Sequence, residues 1–478
     1  MAKKKKDKII VSFIDEPASE DVTGSMVFIS TPNHNILLDA GLYQSNNRYH
    51  DFLVNNRKFH RFKPKDIDLI FFTHNHADHC LLAPKLYRDG CRARTIVPDQ
   101  TKGVLKIMAD DSAEINERDV LIINNQHNKN YAPLYTSIDV ETFIKHVDEF
   151  KPMIQHSIDD EISFTFYPSG HLLGSCQILL SITVHNITKK ILITGDIGNY
   201  GVHNYYVGQF IPVPAADYVI GESTYGDRPD IKIGIKERQT DISKLKSIID
   251  HWVCEMHGRV LIPTFAQSRL QQLVTIIYNL YKDDPSFKYK VYVDSPLSIQ
   301  VFKDYLNSTD TDEQKLLRDI ISWEQLVFVE NSEDSKALIS SLEPAIILST
   351  SGMCQVGRVR HHLKSLVGRP NAAIVFVGFS TEGSLASLLK DPKRKTITID
   401  TKVYKVMCGS YSLKSFSGHA PFANLVDYYS SINCQKIILH HGSNAAKLTL
   451  KPALENSYAD KCKSTRVVIA NSSLEISI

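Results

Sequence analysis

Phe71-Phe72-Thr73-His74-Asn75-His76-Ala77-Asp78-His79 sets three imidazoles and one carboxylate within six residues, directly behind an apolar run that opens at Leu69. The run reads as a strand and the polar stretch as the loop that leaves it. Imidazole and carboxylate are the groups that hold zinc in sites kept open for catalysis. A lone histidine is more often a core or surface residue, but nothing in folding rewards four ligand-type side chains packed at one strand end. Four are also more than one metal needs from one segment, so further ligands should come from other strand ends.

Such strand ends are found along the chain. His171 stands in Pro168-Ser169-Gly170-His171-Leu172-Leu173-Gly174-Ser175, flanked by glycines that let the backbone turn tightly. Asp196 closes Ile191-Leu192-Ile193-Thr194-Gly195-Asp196, and Asp39 closes Ile36-Leu37-Leu38-Asp39 in the same way. Each of these three, taken alone, reads equally well as a cap or turn residue. Ile437-Ile438-Leu439-His440-His441-Gly442 puts two more histidines at a strand end.

Around these points the first half of the chain reads as short strands at 9–14, 26–30, 36–39, 69–73, 162–167, 177–184 and 190–194. The rhythm then changes. Apolar runs at 218–221, 259–263, 290–293, 345–349 and 373–378 are mostly followed by helical stretches, among them 267–281, 298–306 and 356–366. Strand–loop–helix alternation predicts a mainly parallel sheet covered by helices. After about residue 395 strands return, clearest at 436–439 and 466–469. Residues 124–152 read as an excursion of loops and a helix.

The 478 residues carry 55 basic and 53 acidic side chains, a net +2, with 43% apolar and 23% charged residues. This excludes disordered, collagen-like and coiled-coil chains, and no apolar run is long enough for a membrane helix. Lys3, Lys4, Lys5 and Lys6 lack a following apolar region, so they do not read as a secretory signal. Eight scattered cysteines without a Cys-x-x-Cys pair predict buried thiols in a reducing cytoplasm. The near-neutral balance argues at first sight against a nucleic-acid partner.

At these residues the sequence resembles the β-CASP group of metallo-β-lactamase-fold nucleases, which includes the pre-mRNA 3′-end cleavage endonuclease and its bacterial and archaeal relatives. The resemblance runs from Thr23-Gly24-Ser25 through the His-x-His-x-Asp-His loop, Gly221-Glu222-Ser223-Thr224-Tyr225-Gly226 and Ser351-Gly352-Met353. It continues through Thr381-Glu382-Gly383-Ser384 and Ser417-Gly418-His419 to His441-Gly442. The metal loop alone marks only the wider hydrolase superfamily; the later motifs, in this order, mark the β-CASP group. Ser443 stands where the group often has glutamate.

The resemblance implies an α/β (α+β) fold: an αββα metallo-β-lactamase sandwich from about residues 1–220 and 396–478, with a β-CASP domain of mainly parallel sheet inserted at 221–395. It places the active site where the two meet. It implies two Zn2+, with Mn2+ as the alternative: one ion on His74, His76 and His171, the second on Asp78, His79 and His441, and Asp196 bridging. Asp39 would orient ligands without binding metal. His441, not His440, is the third-motif match because it directly precedes Gly442. An ion-bridging hydroxide would attack the phosphodiester, and His419, kept in place by Glu222, would act as general acid, with Asp78 counted among the catalytic groups.

The implied activity is cleavage of single-stranded RNA by endonuclease and possible 5′-exonuclease action, in RNA processing or decay. A histidine at the third motif goes with RNA-processing members, so His441 favours RNA over DNA. A DNA nuclease of the same superfamily, a small-molecule hydrolase and an inactive scaffold subunit stay open as alternatives, although every expected ligand is present. Arg358 and Arg360 open a helix after the Ser351 turn and read either as a solvated face or as a phosphate-steering patch. Ser351 and Ser380 sit in turns able to offer N–H groups to a phosphate. A homodimer or other subunits of an RNA-processing complex are the expected protein partners, and no membrane contact is expected.

Overall fold

A computed structural model describes residues 8–14, 22–45, 47–308, 311–378, 380 and 383–478. The lysines at 3–6, and Thr381 and Glu382 of the matched motif, lie outside the described residues. The chain forms two compact units, one of Met1–Tyr200, Val207–Lys232 and His419–Ile478, the other of Gly201–Tyr206 and Ile233–Gly418.

The first unit contains two seven-stranded sheets. One runs Glu475–Ser477, Ile10–Phe13, Val27–Ser30, Asn35–Leu38, Leu69–Phe71, Arg94–Pro98, Val147–Phe150; it is antiparallel as far as Asn35–Leu38 and parallel beyond. The other runs Arg466–Ile469, Lys436–Leu439, Tyr218–Gly221, Ile187–Ile193, Cys176–Val184, Ile162–Pro168, Gln155–Ser157. Side chains alternate across each strand, so neighbouring residues serve different layers. Ile36, Leu38, Leu69 and Phe71 enter the core between the sheets, where they meet Phe164, Ile178, Leu180 and Ile193. Leu37 and Ile70 face the other way, onto Leu86, Leu105, Ala109 and Phe143 of covering helices. On the far side Leu192, Val219, Ile437 and Leu439 pack against Leu425, Tyr429, Leu450 and Leu454 of the helices Phe422–Ser431 and Asn444–Asp460.

Burial on both faces is why these strands read as unbroken apolar runs. The result is the αββα sandwich, and its inner layer is firm: truncating a fully buried Phe such as Phe71 to Ala costs about 3–5 kcal/mol.

The second unit is built on a six-stranded, wholly parallel sheet, ordered Leu326–Phe328, Lys290–Asp294, Ala345–Ser349, Arg259–Pro263, Ala372–Val377, Gly409–Leu413. Helices cover it, with Val359, Leu363 and Leu366 of Val359–Leu366 packed on Leu261, Ile347 and Ile374. A short hairpin, Thr396–Ile399 with Lys402–Lys405, adds to the same unit. Among the described residues no helix is long and apolar enough to cross a membrane.

Candidate metal centre

The loop after Leu69–Phe71 is held by its own backbone. The carbonyls of Ala77, Asp78 and His79 accept the N–H groups of Leu42, Ser25 and Ala40 at 2.9, 2.7 and 2.7 Å. The approach is close enough that a Cβ on Gly41 would stand 1.8 Å from the Asp78 carbonyl oxygen. Only glycine permits it. Asp39, one residue past its strand, is left-handed at φ 58°, which turns its carboxylate towards the loop.

Two sets of ligand atoms converge in the first unit. His76 Nδ1 lies 3.2 Å from His74 Nε2 and 3.2 Å from His171 Nε2. Asp196 Oδ2 lies 3.5 Å from each of the latter two nitrogens. In the second set His79 Nε2 and His441 Nε2 are 3.3 Å apart, each 3.4 Å from Asp196 Oδ1, and Asp78 Oδ2 is 3.7 Å from His441 Nε2. Asp196 therefore gives one oxygen to each set. Two ligands about 2.0–2.1 Å from a shared tetrahedral ion stand about 3.3 Å apart. Asp196 Oδ1 is buried and has no hydrogen-bond partner among the described residues. The donor set and its spacing fit a pair of metal ions.

Supporting bonds fix which nitrogen faces inward. His79 Nδ1 donates to Asp39 Oδ2 at 2.7 Å, and Thr73 donates its hydroxyl to the same carboxylate while accepting from His74 Nδ1 at 3.0 Å. Both rings thus present Nε2 to the centre. Burial holds His74 well below the usual imidazole range, with His79 adding to the effect. Burial also takes His441 down to about 3, against the pull of Asp196. Asp78 is raised to about 6 by burial, which His79 opposes. Burial works against charge on His79 too, but Asp196 and Asp39 outweigh it and leave that ring raised. Neutral imidazoles are the form that binds metal.

Beside this centre, Glu222 is immobilised: Oε1 accepts the Ile197 N–H at 2.6 Å, Oε2 accepts the Thr224 N–H at 3.2 Å, and its carbonyl accepts the Tyr429 hydroxyl at 2.9 Å. His419 Nδ1 lies 3.7 Å from Glu222 Oε2 and 3.8 Å from Asp196 Oδ2. Burial acts to lower the His419 pKa; Asp196 and Glu222 overturn that and leave it raised. Its side chain is 22% exposed where the neighbouring carboxylates are 1–2%.

The remaining residues singled out in the sequence lie apart from the ligand sets. His440 faces Ser25 Oγ at 3.3 Å and Phe13. In the second unit Arg358 is engaged by Asp294 and by the carbonyls of Val329 and Glu330, and Arg360 by Asp400 and the Gln355 carbonyl. Ser351 Oγ donates to the Val356 carbonyl at 3.4 Å, and Ser380 is half-buried. The supporting roles of Thr73, Ser25 and Tyr429 are not legible in the sequence, although Thr73 stands directly before His74 and Ser25 belongs to the Thr23-Gly24-Ser25 motif.

Three family models match the chain: the metallo-beta-lactamase superfamily at residues 20–90, the Beta-Casp domain at 270–389 and the Zn-dependent metallo-hydrolase RNA specificity domain at 403–465. A ribonuclease of Thermus thermophilus is 27% identical over 442 residues, covering 91% of this chain and 93% of its own. An RNase J-like protein of Methanocaldococcus jannaschii is 28% identical, covering 89% and 91%. Cleavage and polyadenylation specificity factor 73 of Drosophila melanogaster is 25% identical, covering 92% of this chain and 61% of its own. A crystal structure of an Enterococcus faecalis protein of unknown function, 13% identical with a TM-score of 0.53 over 98% of this chain and all of its own, shares the fold.

Proposed function

Because the chain belongs to the β-CASP family of metallo-β-lactamase-fold nucleases, we propose that it is a two-zinc ribonuclease hydrolysing phosphodiester bonds of single-stranded RNA in the cytoplasm. The observation that carries the reading is the meeting of two ligand sets on Asp196, with His419 and Glu222 beside them. His74, His76 and His171 would hold one ion and Asp78, His79 and His441 the other, Asp196 lying between; Mn2+ is the alternative metal. Bound there, the ions would polarise the phosphate and acidify water towards pKa about 7, so that a nucleophile exists at neutral pH.

The chain's own groups do the rest. Asp39 and Thr73 hold His79 and His74 with Nε2 inward. His419, raised above the usual imidazole range, keeps a proton to give to the departing ribose oxygen, and the fixed Glu222 carboxylate favours that protonated form. RNA is preferred to DNA because the matched relatives include ribonucleases and because His441 stands at the third motif.

Metal-loaded protein incubated with end-labelled RNA and DNA of matched sequence tests this. RNA should be cut and DNA spared. Asp78→Ala should abolish cutting, and His419→Ala should slow it by about 10²–10⁴ while elemental analysis still finds two ions. Cleavage of DNA alone sinks the substrate assignment, and an Asp78→Ala variant as fast as its parent sinks the site. The position of the label separates endonuclease from 5′-exonuclease action.

A further inference from the structure

In the parallel sheet of the second unit the chain leaves two neighbouring strands in opposite directions. From Arg259–Pro263 it passes through the helix Arg269–Tyr281 to Lys290–Asp294, two places to one side. From the adjacent Ala345–Ser349 it passes through Val359–Leu366 to Ala372–Val377, two places to the other side. Right-handed crossovers running in opposite senses put the two helices on opposite faces. The loops after the two strands therefore part, and open parallel sheets bind ligands in the crevice at such a switch point, beyond the carboxyl ends of the strands.

The loops that part here are 264–268 and 350–358. Phe265 sits in the first and is 43% exposed, between the buried Thr264 and Ala266. The Thr264 N–H donates to the Ser349 carbonyl at 3.0 Å, which ties this loop to the neighbouring strand. The phenyl ring lies against the second loop: a Cβ on Gly352 would meet its edge carbons at 3.3 Å. The ring thus touches the second loop along one edge and keeps 43% of its residue surface exposed. Both loops carry a non-glycine residue at positive φ, Ser268 at 65° and Cys354 at 62°, and such conformations, costing about 1–3 kcal/mol each, gather at ligand clamps. An aromatic ring left in water forgoes the burial that would stabilise it elsewhere. The charged groups of the second loop do not supply an alternative reading, since Arg358 is engaged by Asp294.

We infer that Phe265 is a stacking platform for one base of single-stranded RNA, with Ser351 at its rim. The inference rests on the ribonuclease reading and adds a place where the strand is gripped through a base face, a contact every base can make.

Steady-state kinetics of the metal-loaded enzyme on RNA oligonucleotides, each with 2-aminopurine at one scanned position, test it. Phe265→Leu should raise KM roughly tenfold and leave kcat within about twofold of the parent, since the lost contact is made equally in ground and transition state. Phe265→Trp should keep the parent's KM. The parent should quench 2-aminopurine fluorescence at one position or more, and Phe265→Leu should not. If Phe265→Leu binds and quenches like the parent while RNA is still cut, the platform is wrong and the ribonuclease reading stands. If the parent cuts no RNA, that reading falls and takes the platform with it.

Discussion

Asp196 in the first unit and Asp294 in the second are both buried carboxylates that face histidines. Asp294 has collected its donors. Oδ1 accepts from Arg358 at 2.7 Å, and Oδ2 accepts from Ser335 at 2.7 Å and from His362 Nε2 at 2.6 Å. Asp196 has nitrogens of five histidines around it, at 3.4–3.8 Å, all outside good hydrogen-bond range. One carboxylate is neutralised by the Arg358 guanidinium and satisfied by hydrogen bonds from Ser335 and His362, so its pocket is closed. The other is ringed by imidazole nitrogens too distant to bond it well; cations shared with His74, His76 and His171 and with His79 and His441 would satisfy it, while His419 stands beside them with its proton. Spacing separates the two; residue composition does not.

Removing each carboxylate tests that contrast. Asp196→Asn weakens a ligand of both sets, and we expect the purified protein to lose its bound metal by elemental analysis and its RNA hydrolysis by about 10³-fold or more. Retention of both ions would erase the distinction. Asp294→Ala should leave metal content unchanged but lower unfolding free energy by about 3–5 kcal/mol, measured by denaturant titration, because it strands a buried imidazole and a largely buried guanidinium. The pH dependence has a definite sign. Burial raises the Asp294 carboxyl, but the bonds from His362, Arg358 and Ser335 outweigh it and leave it below its ordinary value. Its stabilisation is therefore present above the unfolded pKa of about 3.9 and lost as pH falls through the lower folded value, so the parent–variant gap should narrow only below about pH 4. The smallest effect belongs to Arg360→Ala. Its partner Asp400 is half exposed, and the pair should contribute about 1 kcal/mol or less, with a melting temperature nearly unchanged.

What could be read from the sequence follows from the same contrast. His74, His76, Asp78 and His79 are neighbours in the chain, and Asp39, His171, Asp196 and His441 each follow an apolar strand, so the candidates were visible in the sequence, although only the family resemblance sorted them into two ligand sets and set Asp39 apart. Asp294 and His362 are 68 positions apart, and nothing local joins them. Arg358 accordingly reads as part of a basic helix face, although its guanidinium is committed to a buried partner. Strands 218–221, 259–263, 345–349 and 436–439 were found as they stand, because burial on both faces makes their apolar runs continuous, and the edge strand 466–469 was found through its Val-Val-Ile run. The helices Lys102–His127 and Asn444–Asp460 were not. The first spreads its buried residues thinly among Asp, Glu and Asn, and the second carries Pro452 in its interior. Phe265 gives no sequence signal at all, since a single aromatic after a strand is ordinary until its exposure is known.

The backbone clasp around the metal loop has an evolutionary consequence. Ser25, Ala40 and Leu42 hold residues 77–79 through peptide groups, and the fit at Gly41 is one of main chain against main chain. The shape of the socket is thus independent of which side chains project from it. A lineage built on this scaffold can exchange one ligand for another, or abandon hydrolysis altogether, and still inherit a folded protein on which a new chemistry can be selected.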